Sequence, residues 1–208
     1  MNGINFTQAM FHAVIEGRKT QTRRIMKPQP ICDEKGNPTA EWENIIDCKP
    51  RYKVCETLHI KEPYKIELIG GKYKVTFAFS DIVVDLPQSV SPEGILKVQN
   101  LMRKSKTGYC NKLFVVKGLS EYFPHKIEIT GVKAERLNDI SDEDCLKEGI
   151  FEREKWSLGK YYQYEWNGEK FQTPQQAFAA LIDSINGKGT WNSNLWVWVY
   201  EFKLLNNK

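Results

Sequence analysis

Residues 195–205 of this chain read Leu-Trp-Val-Trp-Val-Tyr-Glu-Phe-Lys-Leu-Leu. Trp196, Trp198, Tyr200 and Phe202 fall on one face, with Val197 and Val199 opposite, the period of a strand and not of a helix. So dense an apolar alternation belongs to a sheet packed on a core. We therefore read the aromatic stripe as core packing rather than as a base-stacking surface. A chain of 208 residues with 12% aromatic content and six Trp has the bulk for such a core, which excludes disorder as a description of the whole.

Several upstream segments are equally legible. Thr7 to Glu16 predicts a short helix capped by Thr7, with Met10, Phe11, Val14 and Ile15 on one face and Gly17 as its stop. Strands are expected at Lys53–Ile60 and Lys65–Ser80, the second broken into a hairpin by Gly70-Gly71. Ser91 to Lys106 starts as a helix and turns basic. His125 to Leu137 predicts a strand, with Gly131 marking a bulge or bend. Ser141-Asp142-Glu143-Asp144 opens a helix that ends before Gly149. Pro174 to Ile185 predicts another, with Ala177, Phe178, Leu181 and Ile185 on one side. Strands joined by irregular connections, with few helices, predict an α+β fold built on a small barrel with decorations.

No apolar run approaches the ~20 residues that cross a bilayer. Met1 to Phe11 lacks the basic start and apolar middle of a secretory signal, so a cytoplasmic protein is expected. The cysteines (Cys32, Cys48, Cys55, Cys110, Cys145) form no CxxC pair, and the histidines (His12, His59, His125) no HExxH pattern. Scattered thiols, no metal site and no cofactor are therefore expected.

The net charge is +4, from 30 basic and 26 acidic residues. Residues 1–30 hold Arg18, Lys19, Arg23, Arg24 and Lys27 against Glu16, and 5 − 1 = +4. The other 178 residues cancel. Thus the excess sits in Gly17-Arg18-Lys19-Thr20-Gln21-Thr22-Arg23-Arg24. Arginine forks onto phosphate or carboxylate, and threonine hydroxyls bond a phosphate or a base edge. Lys19 and Thr22 share a face on a helical turn and do not on a strand. Composition alone makes the segment a solvated basic turn.

The pattern Gly17-x-Lys19-x-x-Thr22-x-Arg24 after a first helix resembles the signature of the ASCH domain family, whose fold is PUA-like. Arg51 to Ile60 is similar to the family's turn into a strand, with Cys55-Glu56 where the family often has Gly-Asp. The strand His125 to Leu137, the acidic helix ending Glu148-Gly149, and the block Phe178 to Phe202 follow in the family's order. The resemblance implies one PUA-like domain over 1–208, a small β-barrel with flanking short helices and loops inserted near 32–50, 81–124 and 151–173. Small bacterial members of the superfamily hydrolyse N4-acetylcytidine with a Lys, a Thr and a Glu. The matching positions are Lys19, Thr22 and Glu148. It implies Thr22 as nucleophile, Lys19 as its base and Glu148 moving a proton or holding the cytosine amine. Arg18, Thr20, Arg23 and Arg24 are then ligand-binding candidates, with Arg24 at the oxyanion or a phosphate.

Glu148 lies at a helix C-terminus, where a negative charge is unfavourable. That points to function or to a salt bridge with Arg18 or Arg24. Arg23 reads as a surface charge. A second basic stretch, Lys97 to Lys117, interleaves Tyr109 and Phe114 with no acid between Glu93 and Glu121, and suits a nucleic-acid groove or a ligand-free loop equally. The functional expectation is a protein that takes RNA or a modified nucleoside between the basic motif and the acidic helix. The alternatives are a non-catalytic RNA-binding module and a phage-type protein-interaction protein.

Overall fold

A computed structural model describes residues 3–31, 49–86, 90–110, 122–155 and 159–205. In chain order they form β1 (Gly3–Asn5), α1 (Gln8–Ile15), β2 (Gln21–Ile25), β3 (Thr57–Lys61), β4 (Tyr64–Ile69), β5 (Lys72–Phe77) and β6 (Val83–Asp85). There follow α2 (Pro92–Lys104), β7 (Lys126–Arg136), α3 (Asp142–Lys147), β8 (Phe151–Lys155), β9 (Gly159–Gln163), α4 (Pro174–Asn186) and β10 (Trp196–Leu205). The fold is α+β. No sheet of the described residues closes into a barrel, so the expected PUA-like barrel gives way to open sheets. Cys32, Cys48, most of the segment 32–50, and residues 87–89 and 111–121 of the segment 81–124, with Lys112, Phe114 and Lys117 of the second basic stretch, lie outside the described residues.

The chain divides into two compact units. The first comprises Met1–His12, Thr57–Ile127 and Leu205–Lys208. Here β1 pairs in parallel with β3, and β4, β5 and β6 form an antiparallel sheet. Gly70 and Gly71 take φ of 61° and 77°, the left-handed pair that a two-residue hairpin requires. Tyr64, Ile66, Val75, Phe77, Val98 and Phe123 pack its core, with Phe123 edge-on to Tyr64 at 6.0 Å. Ser91 caps α2 by accepting the Gly94 N–H at 3.1 Å. The strand expected at Lys53–Ile60 starts only at Thr57, because Cys55 turns the chain with φ of 66°.

The second unit comprises Ala13–Glu56 and Glu128–Leu204 and carries every candidate residue of the basic motif. Its central strands run in the order β7, β10, β2. β2 lies antiparallel to β10, with Gln21 opposite Glu201, Thr22 opposite Tyr200, Arg23 opposite Val199 and Arg24 opposite Trp198. Val197 and Val199 are fully buried and Trp196 and Trp198 half-buried, so the valines pack the core at this end and Tyr200 and Phe202 do so farther along. β7 runs through Gly131, where a Cβ would lie 2.8 Å from Glu201 Oε2. That glycine permits a close approach. α4 buries Ala177, Phe178, Leu181 and Ile182, while Ile185, expected on that side, stays exposed. Within residues 151–173, whose aromatic and polar composition is that of an elaborated loop or a hairpin, β8 and β9 form a hairpin.

Candidate functional site

α1 ends as the Gly17 N–H reaches the Val14 carbonyl at 3.0 Å and the Lys19 N–H reaches that of Ala13 at 2.9 Å. The chain then runs beside the end of α3. Lys19 and Glu148 form an isolated antiparallel bridge, and the Thr20 N–H donates to the Lys147 carbonyl at 2.9 Å. α3 itself is set by Ser141, whose hydroxyl accepts the Asp144 N–H at 3.1 Å, and by Gly149 with φ of 99° just beyond its end. Main-chain pairing thus fixes two side chains 129 positions apart in one place.

Lys19 Nζ donates to Glu148 Oε2 and to the Glu148 carbonyl, each at 2.6 Å, and both residues are 3% exposed. The ammonium satisfies a carbonyl at the C-terminus of α3 and offsets the unfavourable carboxylate there. Burial holds the Lys19 ammonium below its ordinary proton affinity, outweighing the opposing pull of Glu148.

Arg23 is the second cation on Glu148, and its side chain is 0% exposed. Its Nε donates to Glu135 Oε1 at 2.7 Å, its Nη1 to Gln21 Oε1 at 2.8 Å and Glu148 Oε1 at 3.1 Å, and its Nη2 to Asp144 Oδ2 at 3.0 Å while lying 2.6 Å from Glu135. Every donor of the guanidinium fork therefore has a partner. Burial works to lower Arg23, but Glu148 and Glu135 outweigh it and its value is raised. The Phe178 ring lies 5.9 Å from its Cζ. Lys133 and Lys147 hold the outer sides of Glu135 and Asp144, at 3.0 and 3.1 Å. Burial works to raise Asp144, and the bonds from Lys147 and Arg23 carry it below the ordinary aspartate value.

Arg23 is therefore no surface charge, and the salt bridge of Glu148 is to Lys19 and Arg23 rather than to Arg18 or Arg24. Strand alternation puts Gln21 and Arg23 on one face of β2, where Arg23 meets Glu148, Glu135 and Asp144, and Thr22 and Arg24 on the other, although Arg24 still acts electrostatically on both Lys19 and Glu148. On that other side Thr22 is 4% exposed and opposite Tyr200. Tyr52 lies edge-on to Tyr200 at 5.2 Å, and the Tyr200 hydroxyl accepts the Arg51 N–H at 2.9 Å. Half-buried Arg24 is lowered by burial, against Tyr52 and Glu148. Thr20 is exposed at its side chain and pairs through its backbone with Lys147 and Phe202. Arg18, 36% exposed, bonds Glu16 at 2.6 Å and the Gly149 carbonyl at 3.3 Å.

The structure thus brings Lys19, Arg23 and Glu148 together and turns Thr22 away from Gln21 and Arg23. Gln21, Glu135 and Asp144 join the cluster without having been singled out. A strand reading of 21–25 was the available signal for Gln21, since it puts residues 21 and 23 on one face. Among the described residues no group of three His, Cys, Asp or Glu is placed to hold a metal ion, and no helix is long and apolar enough to cross a membrane. Cys55 is an exposed free thiol; Cys110 and Cys145 are buried ones, and burial pushes Cys145 up to about 12.

No family model, no curated protein and no solved structure matches the chain. Chemically, the cluster offers a buried amine and a carboxylate in direct contact, a pair able to pass a proton, with an arginine fixing the second carboxylate oxygen.

Proposed function

We propose that this chain binds a modified cytidine beside the Lys19–Glu148 pair and hydrolyses its N4-acyl amide. The observation that carries the reading is the 2.6 Å bond between Lys19 Nζ and Glu148 Oε2. These are two of the three positions that the ASCH resemblance implies for catalysis, and they lie far apart in sequence. A further support is Cys55, which takes a left-handed backbone where the family pattern often has glycine.

Amide hydrolysis needs a base at the attacking oxygen and an acid at the departing amine. Lys19, with proton affinity lowered by burial, first hands a proton to the bonded Glu148 carboxylate, and as the free amine it then takes the proton from the nucleophile. Glu148, now protonated, passes its proton to N4 as the C–N bond breaks, which returns the pair to its starting charges, and the acyl group leaves with the oxygen of water as the carboxylic acid. Arg23 keeps the Glu148 carboxylate oriented, so it is a positioning residue. Thr22, on the face of β2 opposite Arg23, supplies the nucleophile in the family pattern.

The test is deacetylation of N4-acetylcytidine by the wild type and by Lys19→Met, Glu148→Gln, Thr22→Ala and Thr22→Ser. Turnover by the wild type, with a loss of about 10²-fold or more in the Lys19 and Glu148 variants, supports the reading. No turnover by the wild type, or unchanged turnover in both variants, sinks it. Loss in Thr22→Ala with activity kept in Thr22→Ser assigns the nucleophile to Thr22. Full activity in Thr22→Ala restricts the chemistry to Lys19 and Glu148 with water attacking.

A further inference from the structure

Trp166 is 68% exposed, the most exposed tryptophan among the described residues. A ring left that far in water gains little from burial, so the fold draws little from it. It is nonetheless held in place. The Gly168 N–H donates to the Glu165 carbonyl at 3.0 Å, and Gln163, 2% exposed, donates its amide to the Gly168 carbonyl at 2.6 Å. The loop that presents Trp166 is thereby pinned from beneath.

The side chains around it make a continuous ladder. Arg153 Cζ lies 4.2 Å from the Trp166 ring centre, and the Phe151 ring stacks on Trp166 at 6.0 Å and 26°. Arg18 Cζ lies 5.2 Å from the Phe151 ring, and Arg18 bonds the carbonyl of Gly149, next to Glu148. Alternating guanidinium planes and aromatic rings, one ring largely open to solvent, are the surface on which unpaired bases stack. A duplex presents no free base faces and does not fit it. Residues 151–170 carry four basic and four acidic side chains, Lys160 lying on Glu152 at 2.9 Å, so recognition here is of a base face and not of a phosphate row.

We propose that Trp166, with Arg153 and Phe151, is a stacking platform for an unpaired base of single-stranded RNA. Arg18, over the Phe151 ring and bonded to the Gly149 carbonyl, joins the platform to the chain beside Lys19 and Glu148, so the stacked base is a neighbour of the reacting nucleoside. Only that last clause rests on the reading of the preceding section. The substrate class it adds to the free nucleoside is a modified cytidine within a single strand.

The test is fluorescence anisotropy of a labelled hexacytidylate RNA with the full chain. Wild type binds it and Trp166→Ala weakens it by about 5- to 150-fold, the worth of one stacked base. Trp166→Phe keeps a stacking ring and binds within about threefold of wild type. Because Trp166 is exposed, Trp166→Ala folds, and its circular dichroism and unfolding midpoint check this. Unchanged affinity in Trp166→Ala, equal affinity for duplex RNA, or no binding by the wild type overturns the platform. So does Trp166-dependent self-association without RNA binding, which would make a second copy of the chain the occupant. The two readings fail separately. Turnover of free N4-acetylcytidine without hexamer binding removes the platform alone, and Trp166-dependent binding without any turnover removes the reaction alone.

Discussion

The Lys19–Glu148–Arg23 cluster gives a residue-scale ordering of stabilities. Glu148 is shared by two buried cations, Lys19 at 2.6 Å and Arg23 at 3.1 Å. Removing it leaves both with less compensation, whereas removing Lys19 leaves Glu148 still bonded to Arg23. Breaking a buried pair from one side costs about 3–5 kcal/mol, and replacing both partners with apolar residues is often near neutral. Glu148→Leu is therefore expected at the upper part of that range, Lys19→Met below it, and the double variant well above Glu148→Leu in stability. Urea unfolding midpoints of the three variants check this, and a double variant as unstable as Glu148→Leu alone would refute the shared-carboxylate account. At this scale the motif was visible in the sequence, but not the partners of each cation. Arg18 through Arg24 are all basic or polar, and nothing in their identity separates Arg23, with five donors spent internally, from Arg18, which is partly in solvent.

Elements position these residues through their ends. α3 is short, from Asp142 to Lys147, and a helix of that length owes its place to its caps and packing. Ser141 was legible as its start and Gly149 as its stop, because capping chemistry is local and each residue carries its own signal. Gly149 has φ of 99°, and a side chain there is strained. Gly149→Ala is expected to cost about 1–3 kcal/mol and to displace the adjoining Glu148. Thermal unfolding should show the loss, and turnover should fall more in Gly149→Ala than in Ser141→Ala, which removes a cap worth about 1 kcal/mol at the far end of the helix. Equal turnover in the two variants would disconnect the helix end from the chemistry. The same local logic found the Gly70-Gly71 hairpin and α4. It missed the side of α4 on which Ile185 lies, because one turn of helical phase is decided by what packs against it.

For the whole molecule, the net +4 of the sequence remains, but the motif does not present it as a patch of four free cations. Lys19 and Arg23 are cancelled inside the second unit by Glu148, Glu135 and Asp144. Four phosphate contacts from Arg18, Lys19, Arg23 and Arg24 would give single-strand binding a salt slope near −3, at about −0.7 per contact. With two of the four turned inward, the motif contributes at most about −1.4. Plots of log K against log salt for the hexacytidylate should therefore have the same slope in wild type and Lys19→Met. A slope reduced by about 0.7 would put Lys19 on a phosphate instead.

By itself the sequence determined the local chemistry. Helix caps, a glycine hairpin, the alternation of the closing strand and the crowding of charge into one segment all depend on neighbours a few positions away. Tertiary structure decided what those pieces face. The valines rather than the tryptophans pack the near end of β10. Among the described residues no sheet closes into the barrel that was expected. Two of the motif's four cations meet carboxylates more than 100 positions distant. The physical reason is that burial of a charge is affordable only against a matched opposite charge, and no local pattern in the motif specifies which distant strand and helix end will supply it.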